Sequence, residues 1–161
     1  MVWDWIAGAI AFFGAAGLIR SEYEKRCLTA EPFEIASEKI QEEKTIVFLS
    51  DLHDQEFGRN NEELLKAIDK IRPDMILIGG DMMVARKKMK EKPDEKQVVE
   101  IAWRLIKDLA DKYPVVYGSG NHEQRLKRER TLYGSCYENY IKRLKDAGVI
   151  YLSDKNVVFF S

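Results

Sequence analysis

This chain of 161 residues has few cysteines, few histidines and almost no net charge. The two cysteines, Cys27 and Cys136, lie far apart and form neither a CxxC pair nor a zinc-finger spacing. This argues against a disulfide framework and against a structural zinc site. A formal net charge of −1 gives no global electrostatic reason to expect a nucleic-acid partner. One soluble domain with reduced cysteines is the simplest expectation from composition.

The N-terminus carries the longest apolar run, because no charged or strongly polar residue occurs between positions 5 and 19. A helix begun at Val2 rises about 27 Å by position 19, which approaches the bilayer core of about 30 Å. We therefore predict a membrane-anchor helix over residues 1–20. Arg20, Lys25 and Arg26 follow the run and favour a cytoplasmic location for the rest of the chain. Export after cleavage is the alternative, although no Lys or Arg precedes the run.

The remainder divides into a polar segment and an α/β domain. Residues 21–43 have mixed polar composition around Pro32, with Phe33 and Ile35 alternating, which predicts a linker leading into an edge strand. From residue 44, short apolar runs alternate with amphipathic stretches. This pattern is typical of βαβ units, and it predicts a mainly parallel sheet that has flanking helices and is covered on both faces.

The predicted elements follow from hydrophobic periodicity and from capping residues. Helices are predicted over 62–71, opened by Asn60 or Asn61 and stopped by Pro73, and also after Asp94 and after Ser135. Gly148 is placed to end the last helix. Strands are predicted over 46–49, 75–78, 115–117, 149–152 and 157–160.

Polar motifs follow three of these strands: Asp51-Leu52-His53, Gly79-Gly80-Asp81 and Gly120-Asn121-His122-Glu123. In parallel α/β sheets, ligands bind beyond the carboxyl ends of the strands, so the three motifs are expected to meet there. Each motif taken alone is also compatible with an ordinary turn or helix cap. Together they offer oxygen and nitrogen ligands for metal ions.

The residue types suggest a division of roles. Asp51 and His53 are spaced to chelate one ion, and the glycines before Asp81 allow its two oxygens to bridge two ions. Asn121 offers a neutral amide oxygen. His122 is positioned to donate a proton to a leaving oxygen, and Glu123 is expected to orient or tune its imidazole as the second catalytic residue.

These motifs, DLH, GGD and GNHE in this order, resemble those of the calcineurin-like metallophosphoesterase family. The apolar N-terminus followed by Glu22-Tyr23-Glu24-Lys25-Arg26 is similar to the membrane-anchored bacterial members. The resemblance implies Asp51 and His53 on the first metal, Asp81 as bridge, Asn121 on the second metal, and His122 beside the scissile phosphate. It also implies attack on a phosphoester or pyrophosphate by a hydroxide activated by two ions of Mn, Fe or Zn.

The chain departs from the family pattern because His53 and His122 are its only histidines. The later histidine motifs of the family do not occur after His122, so we expect an incomplete second metal site and weak or no activity. We interpret residues 44–161 as the N-terminal half of the family's sandwich, completed by a C-terminal half or by a second copy. The competing hypothesis is a noncatalytic membrane-anchored α/β binding or interaction domain.

Two basic stretches adjoin the motifs, one from Arg86 to Lys92 and the other from Arg125 to Arg130. Each is suited to attract phosphate or anionic lipid headgroups, and a solvated charged loop is an equally simple reading. The expected partners are therefore a phosphoester substrate, which includes lipid-linked ones, and the membrane. Trp103 and Tyr117 fall on predicted core elements, so no nucleic-acid module is expected.

Overall fold

The structure is a computed structural model that describes residues 14, 17, 20, 27–38, 40, 42–86 and 92–153. The chain divides into two compact units, residues 1–34 and 35–161. The predicted anchor over 1–20 lies outside the described residues except at positions 14, 17 and 20. Within the described part, no helix has the length and apolarity needed to cross a membrane.

The second unit contains a parallel sheet of four strands. The strands are β1 (Ile46–Leu49), β2 (Met75–Ile78), β3 (Val115–Gly118) and β4 (Ile150–Leu152), and they lie side by side in sequence order. All four carboxyl ends therefore point to one edge of the sheet. This confirms the predicted parallel α/β architecture, and it places the segments after β1, β2 and β3 next to one another.

Five helices connect and flank the strands. They are α1 (Glu62–Ile71), α2 (Glu95–Ala110), α3 (Asn121–Arg128), α4 (Arg130–Tyr133) and α5 (Cys136–Asp146), with a short 3₁₀ turn over Arg59–Asn61. Asp94 caps α2 by accepting a hydrogen bond from the Lys96 amide at 2.9 Å. Asn61 precedes α1, but its side chain accepts from the Phe57 amide at 3.0 Å and does not cap the helix. Gly148 follows α5 with φ of 82°.

The main core lies on one face of the sheet. Alternate strand residues such as Ile76, Ile78, Val115 and Tyr117 pack against apolar residues from all five helices. The opposite face carries Ile46, Phe48 and Ile150, and the Phe48 side chain is 62% exposed. On this opposite face Met75 and Val116 are nevertheless buried. The predicted flanking helices are observed and share the main core, while the expectation that both faces are covered stays a prediction.

Other differences from the sequence-based expectations are local. No strand forms over residues 27–38, where an edge strand was expected. The segment after Gly120 is the helix α3, which the hydrophobic pattern did not predict because its eight residues are mostly polar or charged. The predicted strand over 157–160 lies outside the described residues.

Candidate active site

The segment after β1 runs along the segment after β2, joined by backbone hydrogen bonds. The amides of Asp51, His53 and Asp54 donate to the carbonyl oxygens of Gly80, Asp81 and Met82 at 3.1, 3.1 and 3.2 Å. Asp51, His53, Asp54 and Asp81 all have positive φ between 50° and 62°. Such a concentration of left-handed non-glycine residues is typical of functional sites, where the surrounding structure enforces the backbone conformation.

Three side chains from three different strand ends converge at this edge. His53, Asp81 and His122 each offer a ligand atom, and these atoms lie within 4.8 Å of one another. The His53 and His122 rings are 4.9 Å apart, centroid to centroid, at 62° to each other. A nitrogen of His53 and a carboxylate oxygen of Asp81 are donors that suit Mn, Fe and Zn. The residues present therefore fit a metal site, and the expected convergence of the three motifs is observed.

Two further expected ligands lie next to this group. The Asp51 Oδ1 atom is 3.7 Å from His53 Nε2, while Asp51 Oδ2 accepts a hydrogen bond from the Ser50 hydroxyl at 2.6 Å. Asn121 is exposed and is the first residue of α3, directly before His122. Both residues are thus at the rim of the pocket, with Asp51 beside the group of three and Asn121 adjacent to it in the chain.

Glu123 is the fully buried anchor of the pocket. Its carboxylate accepts hydrogen bonds from the amides of Asp81 and Gly120 at 3.0 Å each, from the Met82 amide at 3.3 Å, and from the Tyr117 hydroxyl at 2.5 Å. A buried carboxylate needs such donors to compensate for lost hydration. None of these bonds goes to the His122 imidazole. The expectation that Glu123 orients or tunes His122 stays a prediction, and the observed bonds show that Glu123 fixes the backbone that carries Asp81.

A cluster of tyrosines lies behind Glu123. The Tyr140 hydroxyl donates to the Tyr117 hydroxyl at 3.4 Å, and both side chains are fully buried. Burial raises the pKa of Tyr117 and of Tyr140 well above the ordinary value, and burial also raises the pKa of Tyr151. Tyr117 was expected to be a packing residue, and it also supplies one of the four donors to Glu123.

The orientation of His122 is set from two sides. Its amide donates to Asp81 Oδ1 at 2.6 Å, and its ring Nδ1 accepts from the Ala85 amide at 2.8 Å. Because an amide always donates, Nδ1 cannot carry the proton of the neutral ring. The neutral imidazole therefore carries its proton on Nε2.

Glycines allow the second and third motifs to approach closely. Gly80 has φ of 95°, and a Cβ there would lie 2.3 Å from the Gly120 nitrogen. A Cβ on Gly120 would lie 2.4 Å from the Asp81 nitrogen. Any side chain at either position would separate the two motifs, so the glycines are required by contact between backbones.

Sequence reasoning missed Asp54, the residue directly after the first motif. Its Oδ2 atom accepts a hydrogen bond from the Val84 amide at 2.9 Å. Burial raises the pKa of Asp54, and the Val84 hydrogen bond opposes this shift. The signal available in the sequence was a carboxylate next to His53, a predicted metal ligand. Only the hydrogen bond with Val84 shows what the Asp54 carboxylate does.

Side chains from three strand ends, a strained backbone and a buried carboxylate together form a candidate metal site. The sequence profile of the family described as calcineurin-like phosphoesterase matches residues 44–160, and the chain belongs to that family. Members of this family bind divalent metal ions and act on phosphoesters. A search of curated proteins gives no significant match to the chain.

Proposed function

We propose that this chain is a metal-dependent phosphoester hydrolase whose ions are held by Asp51, His53, Asp81 and Asn121. The observation that carries the proposal is the convergence of His53, Asp81 and His122 from three strand ends within 4.8 Å. Family membership supplies the reaction class, since calcineurin-like phosphoesterases hydrolyse phosphoesters with metal ions. When bound, the ions supply a positive field for the phosphoryl oxygens and lower the pKa of a water molecule.

His122 is assigned to the substrate and not to the metal. The Ala85 amide occupies Nδ1, so the neutral ring has its proton on Nε2 and no lone pair there for an ion. Full protonation of the ring would turn two N–H groups toward each other at Ala85. His122 therefore acts as a hydrogen-bond donor from Nε2 to a phosphoryl or leaving-group oxygen, which refines its expected role as a proton donor.

The strength of metal retention follows from the ligand count. With two histidines in the chain, Asp51, His53 and Asp81 would hold one ion, and Asp81 and Asn121 would be left to hold a second. We propose that the second ion is held weakly and that hydrolysis by this polypeptide alone is slow. We also propose that residues 1–20 anchor the domain to a membrane, with the domain on the cytoplasmic side and a substrate class that includes lipid-linked phosphoesters.

Metal titration combined with hydrolysis of bis(4-nitrophenyl) phosphate tests the proposal. We expect the full chain to bind Mn²⁺ and to hydrolyse the diester in its presence. Asp81→Asn removes the bridging charge and should lower the rate by at least about 100-fold, since even the partners of metal ligands are worth about 10–100-fold. Asp146→Asn on the exposed end of α5 is the matched control and should have no effect.

Two results would contradict the hydrolase assignment. One is a full chain that binds no ion at millimolar Mn²⁺ or Zn²⁺, which would favour the noncatalytic binding domain. The other is a hydrolysis rate that is equal in the Asp81→Asn variant and in the Asp146→Asn control, because the measured rate would then not arise at this pocket.

A further inference from the structure

The five residues after Asp81, residues 82–86, form no helix or strand, yet three of them are completely buried. Met82, Met83 and Ala85 have no exposed surface. We call this segment the 82–86 strap. A buried irregular segment must find hydrogen-bond partners for its peptide groups outside regular structure. Its partners therefore reveal what holds it in place.

Side chains from elsewhere in the chain bind the peptide groups of the strap. Asp54 accepts from the Val84 amide, His122 accepts from the Ala85 amide, and Arg125 donates to the Ala85 carbonyl oxygen at 2.6 Å. The Tyr133 hydroxyl accepts from the Arg86 amide at 2.6 Å and donates to the Arg86 carbonyl oxygen at 2.9 Å. The strap is thus a physical link between Asp54 and the imidazole of His122.

We propose that Asp54 is a positioning residue that fixes the imidazole of His122 through the 82–86 strap. The Asp54 backbone amide donates to the Met82 carbonyl oxygen, and the Asp54 side chain accepts from the Val84 amide. Asp54 therefore binds the strap at two points. The next peptide group along the strap is the Ala85 amide that faces His122 Nδ1. The consequence of this positioning by Asp54 for catalysis rests on the proposed hydrolase function, whereas its effect on the His122 imidazole does not.

The chemistry explains why the side chain at position 54 must accept a hydrogen bond. The Val84 amide is a donor, so an oxygen acceptor is needed and a negative charge is not. Asparagine has the same shape and keeps the acceptor oxygen, whereas alanine removes it. The proposal therefore predicts that Asp54→Asn behaves as the natural chain and that Asp54→Ala does not. A role in metal binding predicts the opposite for Asp54→Asn, because the charge would matter.

The readout is the tautomer of His122, measured from the ¹⁵N chemical shifts of the imidazole nitrogens in the metal-free full chain at neutral to mildly alkaline pH. The chain has two histidines, so His53→Gln assigns the signals. We expect a single Nε2–H tautomer for His122 in the natural chain and in Asp54→Asn. In Asp54→Ala, we expect shifts that move toward a mixture of both tautomers. Glu56→Ala, at an exposed position in the same loop, is the control and should match the natural chain.

Amide hydrogen exchange gives a second measurement on the same samples. Losing one hydrogen bond of ordinary strength should speed exchange at Val84 and Ala85 about fivefold in Asp54→Ala, with no change in Asp54→Asn. If Asp54→Ala fails to fold, Asp54→Ser, whose side chain is too short to reach Val84 in the same way, replaces it. Unchanged imidazole shifts and unchanged exchange in a folded Asp54→Ala or Asp54→Ser variant would overturn the proposal.

Hydrolysis kinetics complete the test. We expect kcat for bis(4-nitrophenyl) phosphate to fall about 10-fold or more in Asp54→Ala, with KM and Mn²⁺ affinity little changed and with full recovery in Asp54→Asn. A chain that hydrolyses nothing in any variant would count against the hydrolase function alone, since the imidazole shifts and amide exchange still decide the role of Asp54. A rate in Asp54→Asn as low as in Asp54→Ala would contradict the positioning role.

Discussion

The two halves of the pocket are built differently. The exposed half consists of Asp51 and His53, whose side chains are 66% and 47% exposed. The buried half consists of Glu123 and the groups that donate to it, and the Glu123 carboxylate is inaccessible and accepts four hydrogen bonds. Backbone hydrogen bonds join the two halves. Their backbones are therefore held together, although the side chains of one half face solvent and the Glu123 side chain of the other is buried.

This difference separates residues that hold the frame from residues that face a ligand. In the buried half, removing a side chain leaves donors without partners in a place that water does not reach, so folding is affected. In the exposed half, water replaces a lost contact, so stability changes little while ion binding is affected. Three variants and a pH series test this separation.

The largest effect on stability is expected for Glu123→Ala. It leaves the amides of Asp81, Met82 and Gly120 and the Tyr117 hydroxyl without their acceptor, which should lower the free energy of unfolding by more than about 3 kcal/mol. Urea unfolding followed by circular dichroism measures it. Glu62→Ala, at an exposed position of α1, should change the value by less than about 0.5 kcal/mol. Equal stability of the two variants would show that Glu123 does not stabilise the folded backbone around it.

The next effect concerns the glycine contact. Gly120→Ala places a Cβ 2.4 Å from the Asp81 nitrogen without positive φ, whereas Gly148→Ala has φ of 82° and no atom within 4 Å. The first variant thus measures the clash and the second measures backbone strain. We expect a cost of about 1–3 kcal/mol and weaker Mn²⁺ binding for Gly120→Ala. We expect about 1–2 kcal/mol and unchanged Mn²⁺ binding for Gly148→Ala. Unfolding and ion titration that fail to separate the two would argue against close backbone contact.

A third prediction uses alkaline pH. Burial raises the pKa of Tyr117, Tyr140 and Tyr151 in the folded chain, while in the unfolded chain they titrate near 10. The folded state therefore holds these protons longer, and its stability is intact below about pH 10 and falls as pH rises above it. Urea midpoints between pH 9 and pH 11 should decrease, less steeply in Tyr140→Phe. If all seven tyrosines ionise together near pH 10 by absorbance in the folded protein, the buried cluster is refuted.

The smallest effect on stability is expected for His53→Ala in the exposed half. Its free energy of unfolding in the presence of chelator should differ from that of the natural chain by less than about 0.5 kcal/mol. Its affinity for Mn²⁺ should fall by at least about 100-fold, because a direct ligand is lost. Calorimetric titration measures the affinity. A large loss of stability with retained ion binding would reverse the assignment of the two halves.

The positions of the described strands and of three helices could be predicted because their signals are local. The apolar runs at 46–49 and 75–78 and the helix at 62–71 are confirmed at the predicted residues. The helix α3 could not be predicted, because its residues 121–128 are mostly charged and it is stabilised by contacts distant in sequence, such as Leu126 in the core.

For the site, sequence indicated which segments meet but not which atoms touch. Parallel strands bring their carboxyl ends together, so the proximity of residues 53, 81 and 122 followed from strand order. The partners of Glu123 lie three, six, 41 and 42 positions away, and no spacing rule connects them. The Asp54 contact with Val84 spans 30 positions and depends on the path of an irregular segment. Roles that depend on such long-range hydrogen bonds are set by the tertiary structure and cannot be read from sequence spacing.

The contact between Gly80 and Gly120 has a consequence for protein engineering. A designer who transplants the ion-binding side chains into another α/β scaffold would copy the aspartates and histidines first. Without a bare backbone at both of these positions, the recipient loops would stay too far apart for the grafted groups to reach a common ion, however well each group was chosen. If the same two positions are randomised and the variants are selected for folding alone, without any substrate, only glycine should be recovered at each position.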